Sequence, residues 1–157
     1  MSVNGIAFQE LSEEILGRGA LLRFQARGDS MRPFIEWGDT IIIEPLNDSQ
    51  FNIGDVLFCR RIDGRLLAHR LIRIDIIEGK NYLILKGDNV PRYDFPIPVD
   101  DVLGKVVRVE SQGMQLNING KWHRILGRSI AWFSGKSCNP VLTWITRNLG
   151  RLYWFKG

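Results

Sequence analysis

The sequence predicts a mainly β domain with a short helix before it and one or two helices after it. Short apolar runs recur between residues 21 and 125, and glycine-containing turn dipeptides separate them at fairly regular intervals. This alternation is typical of an antiparallel β domain. At 157 residues, the chain is long enough for one domain with a sizeable apolar core.

The first element is predicted to be a helix over residues 8–16, because acids lie in its first half and glycines follow its end. Glycine-aspartate turns at 38–39 and 54–55 each precede an apolar run. A proline-rich loop is expected over residues 91–98. The predicted strands of the domain cover residues 21–26, 40–43, 56–62, 65–77, 82–85 and 102–109.

Two dipeptides predict β-hairpins. Asp63-Gly64 is a typical two-residue hairpin turn between predicted strands, and Asn119-Gly120 predicts a second hairpin between residues 114–118 and 122–125. The expected organisation is a helical segment (residues 1–20), a β domain (21–110), a hairpin extension (111–126) and a helical tail (127–157).

The tail differs from the rest of the chain in composition. Residues 111–157 hold seven of the 21 Lys and Arg residues, four of the five tryptophans and none of the 17 acids. Asn139-Pro140 predicts a helix start, with Asn as the cap and Pro at the first position. Two interpretations stay open: an amphipathic helix packed on the sheet, or an anchor on an anionic membrane surface through residues 127–157. Nucleic acid is not an expected partner, because no binding motif or dense basic cluster occurs.

The sequence also predicts a compartment. Its first 16 residues carry three glutamates in place of a basic start and an apolar stretch, so no secretory signal is expected. No run approaches the ~18 apolar residues of a spanning helix. Cys59 and Cys138 do not make a disulfide framework and fit a reducing compartment. We expect a cytoplasmic protein, peripheral on a membrane if the tail is an anchor.

Three residue types in separate segments predict a hydrolytic triad. Ser30 lies on a sharp bend in residues 28–33 (GDSMRP), His69 lies in a strand-like run, and Asp88 and Asp94 lie in a loop. A serine hydroxyl needs a base to accept its proton and donors to hold the oxyanion. Histidine suits the base role because its unperturbed pKa of ~6.5 is close to working pH.

Each of these residues also has a structural interpretation. A serine between glycine and proline is often only part of a turn. A histidine in a strand can simply be packed, and Asp88 can organise its own loop through a local hydrogen bond. His123 and the two cysteines are too scattered for a zinc site, and no cofactor is implied.

Four segments, in this order, resemble the type I signal peptidases and the self-cleaving LexA-type repressors over residues 21–109. They are residues 28–33 with 38–41 (GDSMRP, GDTI), 54–57 (GDVL), 68–71 (AHRL) and 86–89 (KGDN). The resemblance implies a signal-peptidase/LexA-like β fold and a serine peptidase that acts through an acyl-enzyme.

The resemblance also implies residue roles. Ser30 would be the nucleophile and contribute to the oxyanion site, and His69 would be the general base, as in archaeal and endoplasmic-reticulum signal peptidases. Bacterial leader peptidases and the repressors have lysine at that position. Asp94, six residues after Asp88, would orient the imidazole, while Asp88 would support the site or be the alternative acid.

The resemblance further implies that substrate binds as an extended strand between two walls, with small residues next to the scissile bond. The expected substrate-binding residues are Phe24, Ala26, Arg27, Met31, Leu66 and Ala68. Signal peptidases usually have serine where this chain has Gly28, and glycine where it has Asp29. They are also anchored by a spanning segment.

Two other functions stay open beside a peptidase that acts on peptides or precursor proteins. A self-cleaving regulator would carry an N-terminal DNA-binding domain and an Ala-Gly or Cys-Gly cleavage site. Only about twenty residues precede the β domain here, and neither dipeptide occurs. The second is a peptide- or membrane-binding module of the same fold without turnover.

Overall fold

The computed structural model describes residues 3–46 and 51–118, which form one α-helix, eight strands and a single 3-10 turn at Val99–Asp101. The prediction of a mainly β domain after a short helix is confirmed. The predicted second hairpin turn at 119–120, the strand at 122–125 and the helical tail lie outside the described residues. The elements are α1 (Val3–Gly17), β1 (Leu22–Gln25), β2 (Thr40–Pro45), β3 (Val56–Arg60), β4 (Leu66–Ile77), β5 (Lys80–Lys86), β6 (Ile97–Pro98), β7 (Val102–Ser111) and β8 (Met114–Asn117).

All the strands pair antiparallel in one curled sheet of order β1-β2-β7-β3-β4-β5-β6. Strand β8 pairs with the C-terminal half of β7, whose N-terminal half pairs with β3. Among the strand edges without a strand partner in the described residues, two flank the segments that carry Ser30 and His69. One is the outer edge of β1, and the other is the start of β4, because β5 pairs with β4 only from Arg70 onward.

The core lies on both faces of β3. Val56 and Phe58 belong to a cluster beneath α1, whereas Leu57 and Cys59 belong to a second cluster on the opposite face. This double burial explains why β3 is continuously apolar and does not alternate. No helix in the described part of the chain is both long and apolar enough to cross a bilayer.

Helix α1 is held to the sheet by apolar and ionic contacts. The ring of Phe8 meets that of Phe24 edge-on at 5.0 Å between centroids, and Phe24 lies 5.5 Å from Phe58. Arg60 donates to Glu13 at 2.9 Å and through two nitrogens to Asp101 at 2.7 and 3.0 Å. The helix therefore closes one end of the larger core cluster.

The two glycine-aspartate turns work in the same way. The carboxylate of Asp39 accepts the N–H of Glu36 at 2.8 Å, and that of Asp55 accepts the N–H of Asn52 at 2.9 Å. Both aspartates are buried. The preceding glycines have φ of 89° and 99°, which side chains rarely adopt. Each dipeptide thus ends a loop and fixes the start of β2 or β3.

Several local predictions were imprecise. Helix α1 begins at Val3, before residue 8, and the sequence does not indicate this early start because Asn and Gly in the first turn are weak helix formers. The loop at Asp63-Gly64 has three residues, since the N–H of Arg61 donates to the carbonyl of Arg65. Part of the proline-rich loop forms β6, the last strand in the order, where a proline lacking an N–H is tolerated.

A substitution at Gly104, on β7, tests how closely β2 and β7 approach each other. A Cβ there would lie 2.6 Å from both the Glu44 carbonyl oxygen and Ile43 Cγ2. We expect Gly104→Ala to lower the free energy of unfolding by about 1–3 kcal/mol through overpacking. A Cβ at Gly17, at the end of α1, meets no atom within 4 Å, so Gly17→Ala should be neutral or stabilise by up to about 1 kcal/mol. Equal urea midpoints for the two variants would contradict this packing.

Candidate active site

Ser30 lies in the loop between β1 and β2. Backbone hydrogen bonds join the two ends of this loop, and two of its apolar side chains are buried in the core. The N–H of Ala26 donates to the Asp39 carbonyl at 2.7 Å, and the N–H of Gly38 donates to the Ala26 carbonyl at 3.0 Å. Inside the loop, Met31 and Ile35 are buried in the core cluster beneath α1. Met31, which was expected to bind substrate, therefore has its side chain in the core, directly after Ser30 in the chain.

His69 connects Ser30 with Asp94. Its Nε2 lies 2.9 Å from Ser30 Oγ, and its Nδ1 lies 2.5 Å from Asp94 Oδ2. The carboxylate requires the ring proton on Nδ1, which leaves Nε2 as the acceptor for the hydroxyl. The side chains of His69 and Asp94 are 13 % and 19 % exposed. The structure thus brings together three residues that the sequence places in separate segments, in the geometry of a hydrolytic triad.

Each partner of the imidazole is held by the backbone around it. His69 lies on β4 opposite Leu57, at the last position before β5 begins to pair. Asp94 lies in the loop between β5 and β6, and its N–H donates to the Leu85 carbonyl at 2.9 Å. A central strand therefore orients the imidazole of His69, and a loop tied to the neighbouring strand orients the carboxylate of Asp94.

Asp88 lies close in sequence to Asp94 but contacts a different residue. Its carboxylate accepts from Arg70 Nε at 2.8 Å and Nη2 at 2.6 Å, and Arg70 Nη1 donates to the Gly54 carbonyl at 2.7 Å. Both side chains are 4 % exposed. Of the two carboxylates considered from the sequence, Asp94 contacts the imidazole of His69. Asp88 forms a buried ion pair with Arg70, the residue that follows His69 in β4.

The loop that carries Asp88 also contacts the backbone at Ser30. The main-chain N–H of Asn89 donates to the Ser30 carbonyl at 2.8 Å, and its Nδ2 donates to the Asp29 carbonyl at 3.1 Å. A Cβ at Gly87 would lie 2.7 Å from the Ser30 carbonyl oxygen and 3.1 Å from His69 Nε2. Sequence reasoning found this segment as a motif but missed Arg70, Gly87 and Asn89 as site residues.

The backbone N–H of Ser30 is available for an oxyanion. It donates to no group among the residues that the structure describes. Gly28 has a φ of 129°, a conformation in which a side chain would be strained. The backbone of this loop therefore disfavours a serine at position 28.

The two walls of the expected groove lie over one core. Phe24 and Ala26 follow the free edge of β1, and Leu66 and Ala68 follow the free start of β4. All four are half-buried and pack against the cluster that contains Phe58. Arg27 is exposed at the end of the first wall.

Other chemistries find less support. Cys59 is fully buried, and burial, together with the nearby charges of Asp94 and Asp101, raises the pKa of its thiol. It is therefore unsuited to be a nucleophile at neutral pH. Within the two described ranges, no three His, Cys, Asp or Glu side chains are grouped to hold a metal ion.

No protein-family model matches this sequence. No curated protein matches it either. The geometry of the chain's own residues therefore carries the functional assignment.

The buried ion pair should matter most for stability. Asp88→Asn leaves the Arg70 guanidinium buried without its counter-charge, so we expect the free energy of unfolding to fall by about 3–5 kcal/mol. Asp75→Asn breaks the exposed pair with Arg73 and should cost about 0–1 kcal/mol. Urea unfolding followed by circular dichroism measures both. Small, similar losses would mean that Asp88 does not hold the site together.

Proposed function

We propose that this protein is a serine endopeptidase that hydrolyses a peptide bond in an extended peptide or precursor protein. Its fold and site would be of the signal-peptidase/LexA type. The observation that carries the proposal is the Ser30–His69–Asp94 array, with contacts of 2.9 and 2.5 Å between side chains from three separate segments. The half-buried position of the imidazole further supports a catalytic role, because it limits competition from water for both contacts.

In the acylation step, Ser30 Oγ attacks the carbonyl carbon of the scissile bond while His69 Nε2 accepts the hydroxyl proton. Asp94 stabilises the imidazolium that forms. The Ser30 N–H donates to the oxyanion, where charge develops in the transition state. His69 then gives the proton to the leaving amine nitrogen as the C–N bond breaks, and an ester on Ser30 remains.

In the deacylation step, water attacks the ester carbon and gives a proton to His69 Nε2. The bond between the carbonyl carbon and Ser30 Oγ breaks, and the proton returns to Oγ. The carboxylic acid product leaves and the free enzyme is restored. Every proton transfer in the cycle uses the ring nitrogen that lies 2.9 Å from Ser30 Oγ.

Substrate binding would use the outer edge of β1 and the start of β4, which pair with no other strand of the described residues on those sides. A peptide added as a strand between β1 and the start of β4 would make main-chain hydrogen bonds, and its alternate side chains would face the walls. On one wall, Phe24 is packed between Phe8 and Phe58. Small side chains next to the scissile bond are what the family resemblance implies for this groove.

A binding module of the same fold without turnover is the second candidate. It is favoured by Gly28, which offers no hydroxyl to the oxyanion where signal peptidases usually have serine. In that case the groove would bind peptides, and Ser30 and His69 would only stabilise the loop. Peptide turnover separates the two candidates.

Incubation with a proteome-derived peptide library, with cuts mapped by mass spectrometry, tests the proposed activity. We expect wild-type protein to cut a defined set of peptides, and Ser30→Ala to lose about 10³-fold or more of that activity while its unfolding midpoint stays the same. Ser111→Ala, at the end of β7, is the matched control and should cut as wild type does. Cuts that persist in Ser30→Ala, or peptides that bind without any cut, would contradict a Ser30 peptidase.

A further inference from the structure

We propose that Asn89 is a positioning residue that aims the backbone N–H of Ser30 at the oxyanion. The inference rests on the proposed peptidase function and assigns the device that orients its oxyanion donor. Asn89 touches neither the imidazole nor the hydroxyl in the contacts described above. It acts on the peptide unit to which the N–H of Ser30 belongs.

The argument starts from the acceptor of the Asn89 side chain. Its Nδ2 donates to the carbonyl oxygen of Asp29 at 3.1 Å, and the same oxygen accepts the main-chain N–H of Arg32 at the longer distance of 3.3 Å. That carbonyl belongs to the same peptide unit as the N–H of Ser30. A trans peptide unit is planar, so its C=O and N–H point in opposite directions. A donor that holds the Asp29 carbonyl on one side therefore fixes the Ser30 N–H toward the other side.

The second hydrogen bond of Asn89 holds the next peptide unit. Its main-chain N–H donates to the Ser30 carbonyl at 2.8 Å. One residue thus holds the carbonyls of two successive peptide units, and Ser30 lies between them. Because the acceptor of the Asn89 side chain is a carbonyl oxygen, the amide must present its NH₂ group to Asp29. Donation to the Asp29 carbonyl also polarises that peptide unit and strengthens its N–H as a donor.

The residues on both sides of Asn89 are held by hydrogen bonds of their own. Asp88 is held by the buried Arg70, and the N–H of Val90 donates to the Gly87 carbonyl at 3.1 Å. Gly87 approaches Ser30 so closely that a Cβ would lie 2.7 Å from its carbonyl oxygen. These contacts hold the Asn89 backbone beside Ser30, and the bond to the Asp29 carbonyl then orients its amide.

The position of Gly28 increases the importance of this orientation. Glycine has no side-chain donor, so an oxyanion here depends on main-chain donors such as the Ser30 N–H, which makes no hydrogen bond within the described part of the chain. Removing one oxyanion donor typically costs about 10²–10³-fold in kcat, and loss of its alignment should cost less.

The test uses the full-length protein and the library peptide that wild type cuts fastest. We expect Asn89→Ala to lower kcat by about 10- to 100-fold with KM unchanged, because the change affects the transition state and leaves ground-state binding intact. The midpoint of the pH–rate profile should also stay that of wild type, because His69 and Asp94 are untouched. Asn81→Ala, an exposed asparagine on β5, is the matched control and should keep wild-type kcat.

Stability separates positioning from a merely structural role. The Asn89 side chain is exposed, and Asn89→Ala keeps the main-chain bond to Ser30, so its unfolding midpoint should stay near that of wild type. Asn89→Asp keeps the shape but places an acceptor against the Asp29 carbonyl, and it should lose at least as much kcat as Asn89→Ala. Asn89→Asp therefore decides the matter if Asn89→Ala does not fold.

Wild-type kcat in the folded variants would overturn the inference, as would a loss seen only in KM. The failure of the proposed function has a different signature: wild-type protein itself would give no Ser30-dependent cut.

Discussion

The buried ion pair between Arg70 and Asp88 is the interaction on which the site depends. It joins β4, which carries His69, to the loop that contacts Ser30, and through Nη1 of Arg70 it also joins the turn before β3. Burying two charges costs free energy, which is offset here because three charge-assisted hydrogen bonds satisfy the guanidinium and the carboxylate. The cross-link holds the loop of Asp88 and Asn89 beside the 2.9 Å contact between Ser30 and His69.

Aspartates with different surroundings do different work in this small domain. Asp94 contacts an imidazole at a partly buried position, whereas Asp88 forms an ion pair with a guanidinium in the interior. Asp39 and Asp55 accept backbone N–H groups and end turns. The side chain is the same in each case, and its partner and burial decide its role. For this reason, a triad acid cannot be assigned from the presence of an aspartate in the loop alone.

The features that were predictable from the sequence are those with local signals. Apolar runs between glycine turns indicated most of the strands, and the motif order indicated that Ser30 and His69 belong to one site. The burial of Met31 was not predictable, because it depends on how the loop folds back onto the core. The role of Asn89 was not predictable, because its acceptors are main-chain atoms 59 and 60 residues earlier in the chain. Such contacts arise only when the sheet has curled, and no side-chain pattern encodes them.

The central claim is that His69 is held between the hydroxyl of Ser30 and the carboxylate of Asp94. Proton NMR of ¹⁵N-histidine-labelled protein tests it most directly, since a ring N–H that donates to a carboxylate resonates far downfield and exchanges slowly. The account predicts such a resonance from Nδ1 of His69, absent in His69→Ala, lost in Asp94→Asn and retained in folded Asp88→Asn. A spectrum without it in wild type, or one in which Asp94→Asn leaves it unchanged, would contradict the account.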